Sequence, residues 1–134
     1  MTEIASGEVM GEILYDRDVQ LGELVRLRAS YCEACDRWEF PVRDYCPTCP
    51  APVVVAALPG PARVVGFTAV MHAPPGSLVA VPYVLAVAAF LGGISIMGVV
   101  DNVELGDLEV GVLVDVIAAA RGDIACYAYR LQQR

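Results

Sequence analysis

Lysine is missing from all 134 residues, and nine arginines face sixteen aspartates and glutamates, giving a formal net charge of −7. Proteins that grip a polyanion cluster Lys and Arg against the phosphates, so this balance argues against a nucleic-acid partner. One histidine, His72, and one tryptophan, Trp38, leave little material for chemistry, and no Ser/His/Asp arrangement can be assembled around that imidazole. Residues 1–10 carry Glu3 and Glu8 and lack both a basic leader and an apolar stretch, so they do not read as a secretory signal. Cysteines without such a signal imply a reducing, cytoplasmic setting, where thiols are metal ligands or small core residues. Internal repeats and low-complexity tracts are also missing.

The most unusual absence is of charge. Between Val64 and Val100 there is no Asp, Glu, Lys or Arg, and 57% of the whole chain is hydrophobic, against a usual ~45–50%. Residues 78–100 are long enough to cross a bilayer. Pro82 and the pair Gly92-Gly93 cut them into pieces of strand length, and no arginine flanks them closely. They read as two adjacent β-strands, not as a membrane span.

What is present is cysteine in pairs. Cys32-Glu-Ala-Cys35 and Cys46-Pro-Thr-Cys49 are separated by ten residues. Each pair puts two thiolates on one tight turn, and four soft ligands in a tetrahedron suit Zn2+. Iron and disulfides are the alternatives, but rubredoxins space their paired knuckles more widely. Four thiolates leave no open coordination position, so the expected zinc is structural. The fifth cysteine, Cys126, lies in an alternating apolar run and reads as a small core residue.

Three parts follow from the punctuation. Residues 1–21 form an arm in which Val9, Met10, Ile13 and Leu14 give a short helical stripe weakened by Gly7 and Gly11. Residues 22–52 form the ribbon, entered by a strand over 23–31 with Val25, Leu27 and Ala29 on one face. Residues 53–134 read as strands over 53–58, 63–72, 83–91, 94–102, 108–119 and 124–131, with Gly92-Gly93 as a hairpin turn. The expected fold is mainly β: a rubredoxin-like four-cysteine zinc ribbon followed by a small closed barrel or sandwich.

These pieces, in order, resemble the acyl-CoA-associated zinc-ribbon/OB-fold proteins. The resemblance runs from about Gly22 to Leu131. It rests on the two knuckles, Trp38-Glu-Phe-Pro-Val-Arg43, Phe67-Thr-Ala-Val-Met-His-Ala-Pro-Pro75, Pro82-Tyr-Val-Leu-Ala-Val87, Met97-Gly-Val-Val-Asp101 and Leu108-Glu-Val-Gly-Val-Leu-Val-Asp-Val116. It implies a five-stranded OB-fold barrel and a non-catalytic accessory subunit. Its partner would be a thiolase-fold enzyme of thiolase, hydroxymethylglutaryl-CoA synthase, acyltransferase or aldolase type, and the pair would enclose an acyl-CoA between them. Knuckles in that family usually end Cys-Gly; here Asp36 and Pro50 follow instead, and Pro has no N–H to offer a thiolate.

A partner also follows from the residues. Tyr83, Leu85, Val87 and Ala89 share one face of a strand, and Val84, Ala86, Ala88 and Phe90 the other, so both faces are apolar. A small barrel ordinarily shows water a polar outer face. Tyr83, Leu85, Phe90, Ile94 and Ile96 are therefore the candidate partner contacts. Candidate CoA contacts are Arg43 after the aromatic-x-Pro step, Arg63 at the start of the barrel, and His72, Pro74 and Pro75 in a rigid loop. The rival reading is a zinc-ribbon/OB nucleic-acid-binding protein, which the acidic balance disfavours.

Overall fold

The computed structural model describes residues 13–16, 19–77, 80–121 and 124–132. The chain forms two joined β units. A three-stranded antiparallel sheet contains β1 (Arg28–Cys32), β2 (Arg37–Glu39) and β3 (Val54–Ala57) in the order β2-β1-β3. A closed barrel follows, built from β4 (Ala62–Val70), β5 (Tyr83–Ala89), β6 (Ser95–Val100), β7 (Leu113–Arg121) and β8 (Ile124–Leu131) in the order β4-β5-β6-β8-β7. A 3-10 turn, Leu105–Asp107, links β6 to β7. Among the described residues no helix is long and apolar enough to cross a membrane. The helical stripe expected around Val9–Met10 lies outside the described residues; Leu14, at its end, is buried and bridges Leu27.

Barrel strands form where the period-two pattern is cleanest. β5 alternates half-buried and buried along its length, with Val84, Ala86 and Ala88 pointing inward. Val64, Ile96, Val100, Val114, Val116, Ala118 and Tyr129 complete the interior. Small alanines beside valines let opposing walls of a narrow barrel meet without voids.

Two polar links close the barrel where strand pairing runs out. β6 and β8 share a single register pair, Val100↔Tyr129, and Asp101 N–H donates to the Tyr129 carbonyl at 2.7 Å. Beyond that point the Tyr129 hydroxyl donates to the Ile96 carbonyl at 2.7 Å and the Tyr127 hydroxyl to the Met97 carbonyl at 2.6 Å. Gly98 lies between them. A Cβ there would sit 2.9 Å from the Tyr129 ring and 3.0 Å from the Tyr127 ring, so glycine is what lets both rings lie over β6.

The lead-in to the ribbon is shared by both units. The alternation expected over 23–31 is present, with Val25, Leu27 and Ala29 buried. Its first half pairs with the barrel: Gly22 N–H donates to Ala118 O, Val25 N–H to Val116 O, and Ala118 N–H to Glu23 O, each at 2.9 Å. Its second half is β1. The strand expected over 53–58 forms as β3 and joins the ribbon's sheet, pairing Val54 to Ala57 with Tyr31 to Arg28. The strand expected from 108 begins only at Leu113, because Gly111 (φ +100°) turns the chain so that its N–H reaches the Val64 carbonyl.

The hairpin between β5 and β6 meets the ribbon. Gly93 takes φ +82°, as a hairpin turn requires. Gly92 is needed for a different reason: any Cβ there would overlap the Trp38 indole. Phe40 adds an edge-to-face contact with Tyr127, ring centroids 6.0 Å apart. Ribbon and barrel are thus fastened by hydrogen bonds along β7 and by aromatic packing at the hairpin.

Candidate functional site

The four paired cysteines converge. β1 delivers Cys32 at its end, the turn to β2 carries Cys35, and a second turn, closed by Cys46 N–H donating to Ala51 O at 2.9 Å, carries Cys46 and Cys49. All four sulfurs lie within 4.8 Å of one another. Across the knuckles, Cys32 and Cys49 Sγ are 3.5 Å apart and Cys35 and Cys46 Sγ 3.9 Å. Sulfurs bound tetrahedrally at ~2.3 Å from zinc lie about 3.8 Å from one another, so the arrangement fits one zinc ion. The Sγ separations across the knuckles are too long for disulfides.

The electrostatics agree with a shared cation. Backbone N–H groups of Cys49 and Thr48 pull the Cys46 thiol down to about 6. The Cys35 thiol is pushed up to about 12, first by the Cys49 thiol, then by local desolvation of its sulfur among its neighbours and by the Cys46 and Cys32 thiols. Cys32 also rises: the Cys35 N–H lowers it, but burial and the Cys49 and Cys46 thiols outweigh that. The Cys46 thiolate forms readily while Cys32 and Cys35 resist, as expected of groups packed to share one positive ion. Cys32 and Cys46 are buried while Cys35 and Cys49 are exposed, so the site sits at the ribbon's tip.

Both residues that replace glycine after the knuckles take positive φ, Asp36 at 52° and Pro50 at 26°. Asp36 also accepts a hydrogen bond from the Tyr31 hydroxyl at 2.6 Å. The second knuckle draws its N–H support from Thr48 and Cys49, ahead of Pro50.

The expected CoA contacts are not brought together. Arg63, at the start of β4, spends its guanidinium on the Gly111 carbonyl at 2.9 Å. His72, Pro74 and Pro75 lie in the exposed loop past the other end of that strand, about 30 Å of extended chain away. The exposed Arg43 belongs to the ribbon, where its backbone N–H donates to Ser30 Oγ at 3.3 Å.

Of the expected partner contacts, Phe90 and Ile96 need correction. They are 4% and 7% exposed and point into the barrel core, Phe90 with its ring 6.4 Å from that of Tyr129. The β5 alternation already put Phe90 on the face of Val84, Ala86 and Ala88. Ile94 is half-buried against the core. Tyr83 and Leu85 lie half-buried on the opposite, outer face.

That outer face carries residues the sequence reading did not single out. Opposite Leu85 are Thr68 and Val99, and opposite Val87 are Gly66 and Met97. Isolated glycines inside strand patterns mark bulges or close approaches; by that signal Gly66 and Gly98 were both detectable.

Residues 24–55 match the family model described as "ChsH2, rubredoxin-like zinc ribbon domain", and residues 52–118 match "ChsH2, C-terminal OB-fold domain". The chain belongs to the ChsH2 family. Among solved structures the fold is similar to "Ltp2-ChsH2(DUF35) aldolase", with a TM-score of 0.67 and 21% identity over 79% of this chain and 84% of that one. It is also similar to a DUF35-family protein of unknown function from Sulfolobus solfataricus, at TM-score 0.56 and 18% identity over 80% and 76% of the two chains. No curated protein sequence matches the chain. The four-cysteine zinc ribbon and the closed five-stranded OB-fold barrel are therefore those of this family.

Proposed function

We propose that the chain is a non-catalytic accessory subunit that docks against a thiolase-fold catalytic partner and helps enclose that partner's acyl-CoA substrate. The partner supplies the nucleophile and the acid/base groups. The observation that carries this reading is the outer face of β5 and β6, where Leu85, Val87 and Val99 are half-buried and Met97 is 57% exposed with no charged residue from Val64 to Val100. An apolar face of this kind on a strongly acidic chain is stabilised by being covered. Support also comes from the fold neighbour whose name joins ChsH2 to Ltp2 in an aldolase.

In this reading zinc is architectural. Cys32, Cys35, Cys46 and Cys49 would hold it, and its chemistry is to lock two turns whose short hydrophobic contacts could not order them alone. The ordered ribbon then holds Trp38 against Gly92 and so fixes the pitch of the β5–β6 hairpin.

Co-expression with the products of the neighbouring open reading frames, followed by affinity and size-exclusion chromatography, tests the reading, a thiolase-fold partner being the expected capture. A stoichiometric heteromer is the expected result. A chain that elutes alone in every pairing refutes it.

A further inference from the structure

The outer face of the barrel is not smooth. β4 carries a bulge between Val64 and Gly66, and such an extra residue bends its strand and re-aims side chains. Here Val65 is turned out, 48% exposed, and Gly66 is set opposite Val87, which in turn lies opposite Met97. Because Gly66 has no side chain, a notch of about 250 Å³ opens across β4, β5 and β6, with Leu85, Val87 and Met97 around it. At ~30 Å³ per molecule that is room for roughly eight waters. The lining offers them Thr68 as its one polar side chain, so their release on docking is favourable. A Cβ at Gly66 would meet nothing within 4 Å, and the backbone there is not left-handed. The fold does not need glycine at this position; the notch does.

Resting on the accessory-subunit reading above, we propose that this notch is the socket for one large apolar side chain, aromatic or long aliphatic, presented by the catalytic subunit from a surface with a basic rim. Charge selects this occupant over a second copy. Two chains of −7 repel each other, whereas a basic rim is drawn to the acidic remainder of this one. The uncharged face receives the knob without burying an unpaired charge. Met97, flexible and polarizable, adapts the lip of the socket to the side chain that enters.

The test is the affinity of the co-expressed catalytic subunit for three variants. Gly66→Leu plugs the notch and is expected to raise Kd at least tenfold while leaving the zinc content and melting temperature of the free chain unchanged. Met97→Asp puts a charge at the lip and is expected to do the same by a route that does not involve the bulge. Gly106→Leu, whose added side chain also enters open space but in the 3-10 turn, is expected to bind as wild type. Wild-type affinity in both Gly66→Leu and Met97→Asp overturns the socket and leaves the accessory role standing on another surface. Failure of the wild type to bind any thiolase-fold protein overturns both. Self-association that Gly66→Leu abolishes makes the occupant a second copy and also overturns the proposal.

Discussion

Replacing Tyr129 by phenylalanine isolates the link that closes the barrel. The ring is fully buried, and its hydroxyl donates to the Ile96 carbonyl at 2.7 Å across the gap where β6 and β8 have stopped pairing. Phenylalanine keeps the ring and its packing on Gly98 and Phe90, so only the hydrogen bond is lost. The carbonyl left behind is not orphaned, because Ile96 stays in register with Ala88 in the β5–β6 ladder. The cost therefore falls at the net value of a hydrogen bond, about 1 kcal/mol, and not toward the upper end, about 3 kcal/mol, of a fully abandoned buried acceptor. For a domain of this size that is a fall in Tm of roughly 3–5 °C. A second signature comes from pH. Burial holds the Tyr129 phenol well above its ordinary value, so the folded state keeps a proton that the unfolded state releases above about pH 10. The stability contribution is complete below that pH and is lost as pH rises beyond it. Denaturant unfolding from pH 7 to 11 should show the wild type losing stability above pH 10 and Tyr129→Phe losing less. Tyr127 is raised by burial as well and titrates in both proteins, so the difference between the two curves reports Tyr129. A variant as stable as wild type at pH 7, with an identical alkaline limb, would show that the hydroxyl does not close the barrel.

Two further perturbations probe the ribbon. Gly92→Ala drives a methyl group into the Trp38 indole and should cost about 1–3 kcal/mol as an overpacked contact, with a shift in tryptophan fluorescence; unchanged fluorescence and Tm would show that ribbon and hairpin are not packed as described. Cys46→Ser removes a thiol that backbone N–H groups hold well below its ordinary value and should lower bound zinc and weaken partner binding together, read by metal analysis and size exclusion. A metal-free variant that assembles normally would remove zinc from the docking account.

The sequence was legible where information is local. Paired Cys-x2-Cys spacing picked out the four cysteines whose sulfurs converge, and period-two alternation located most barrel strands to within a few residues. It was less legible where the answer depends on what a segment meets. Nothing local in residues 22–27 says that they hydrogen-bond to β7 before becoming ribbon, and nothing in Val-Val-Val-Ala-Ala says that β3 joins β1 instead of the barrel. Gly92 looks like a turn residue beside Gly93; its reason is an indole 54 residues earlier in the chain, Trp38. Phe90 is a different kind of miss: strand alternation had assigned it inward, and its place among the partner contacts contradicted that pattern. The scattered Arg43, Arg63 and His72 show the remaining limit, since residue type alone does not say which side chains the fold brings together, and β4 holds two of the three apart.

The central claim is that this chain completes another protein's active site without doing chemistry itself. Acyl-CoA turnover by the purified thiolase-fold partner, by this chain, and by the two together measures it directly. The account predicts no turnover by this chain, little by the partner alone, and full activity only in the stoichiometric mixture, lost again with a partner-binding variant. Turnover by this chain alone, or partner activity indifferent to its presence, would contradict the account.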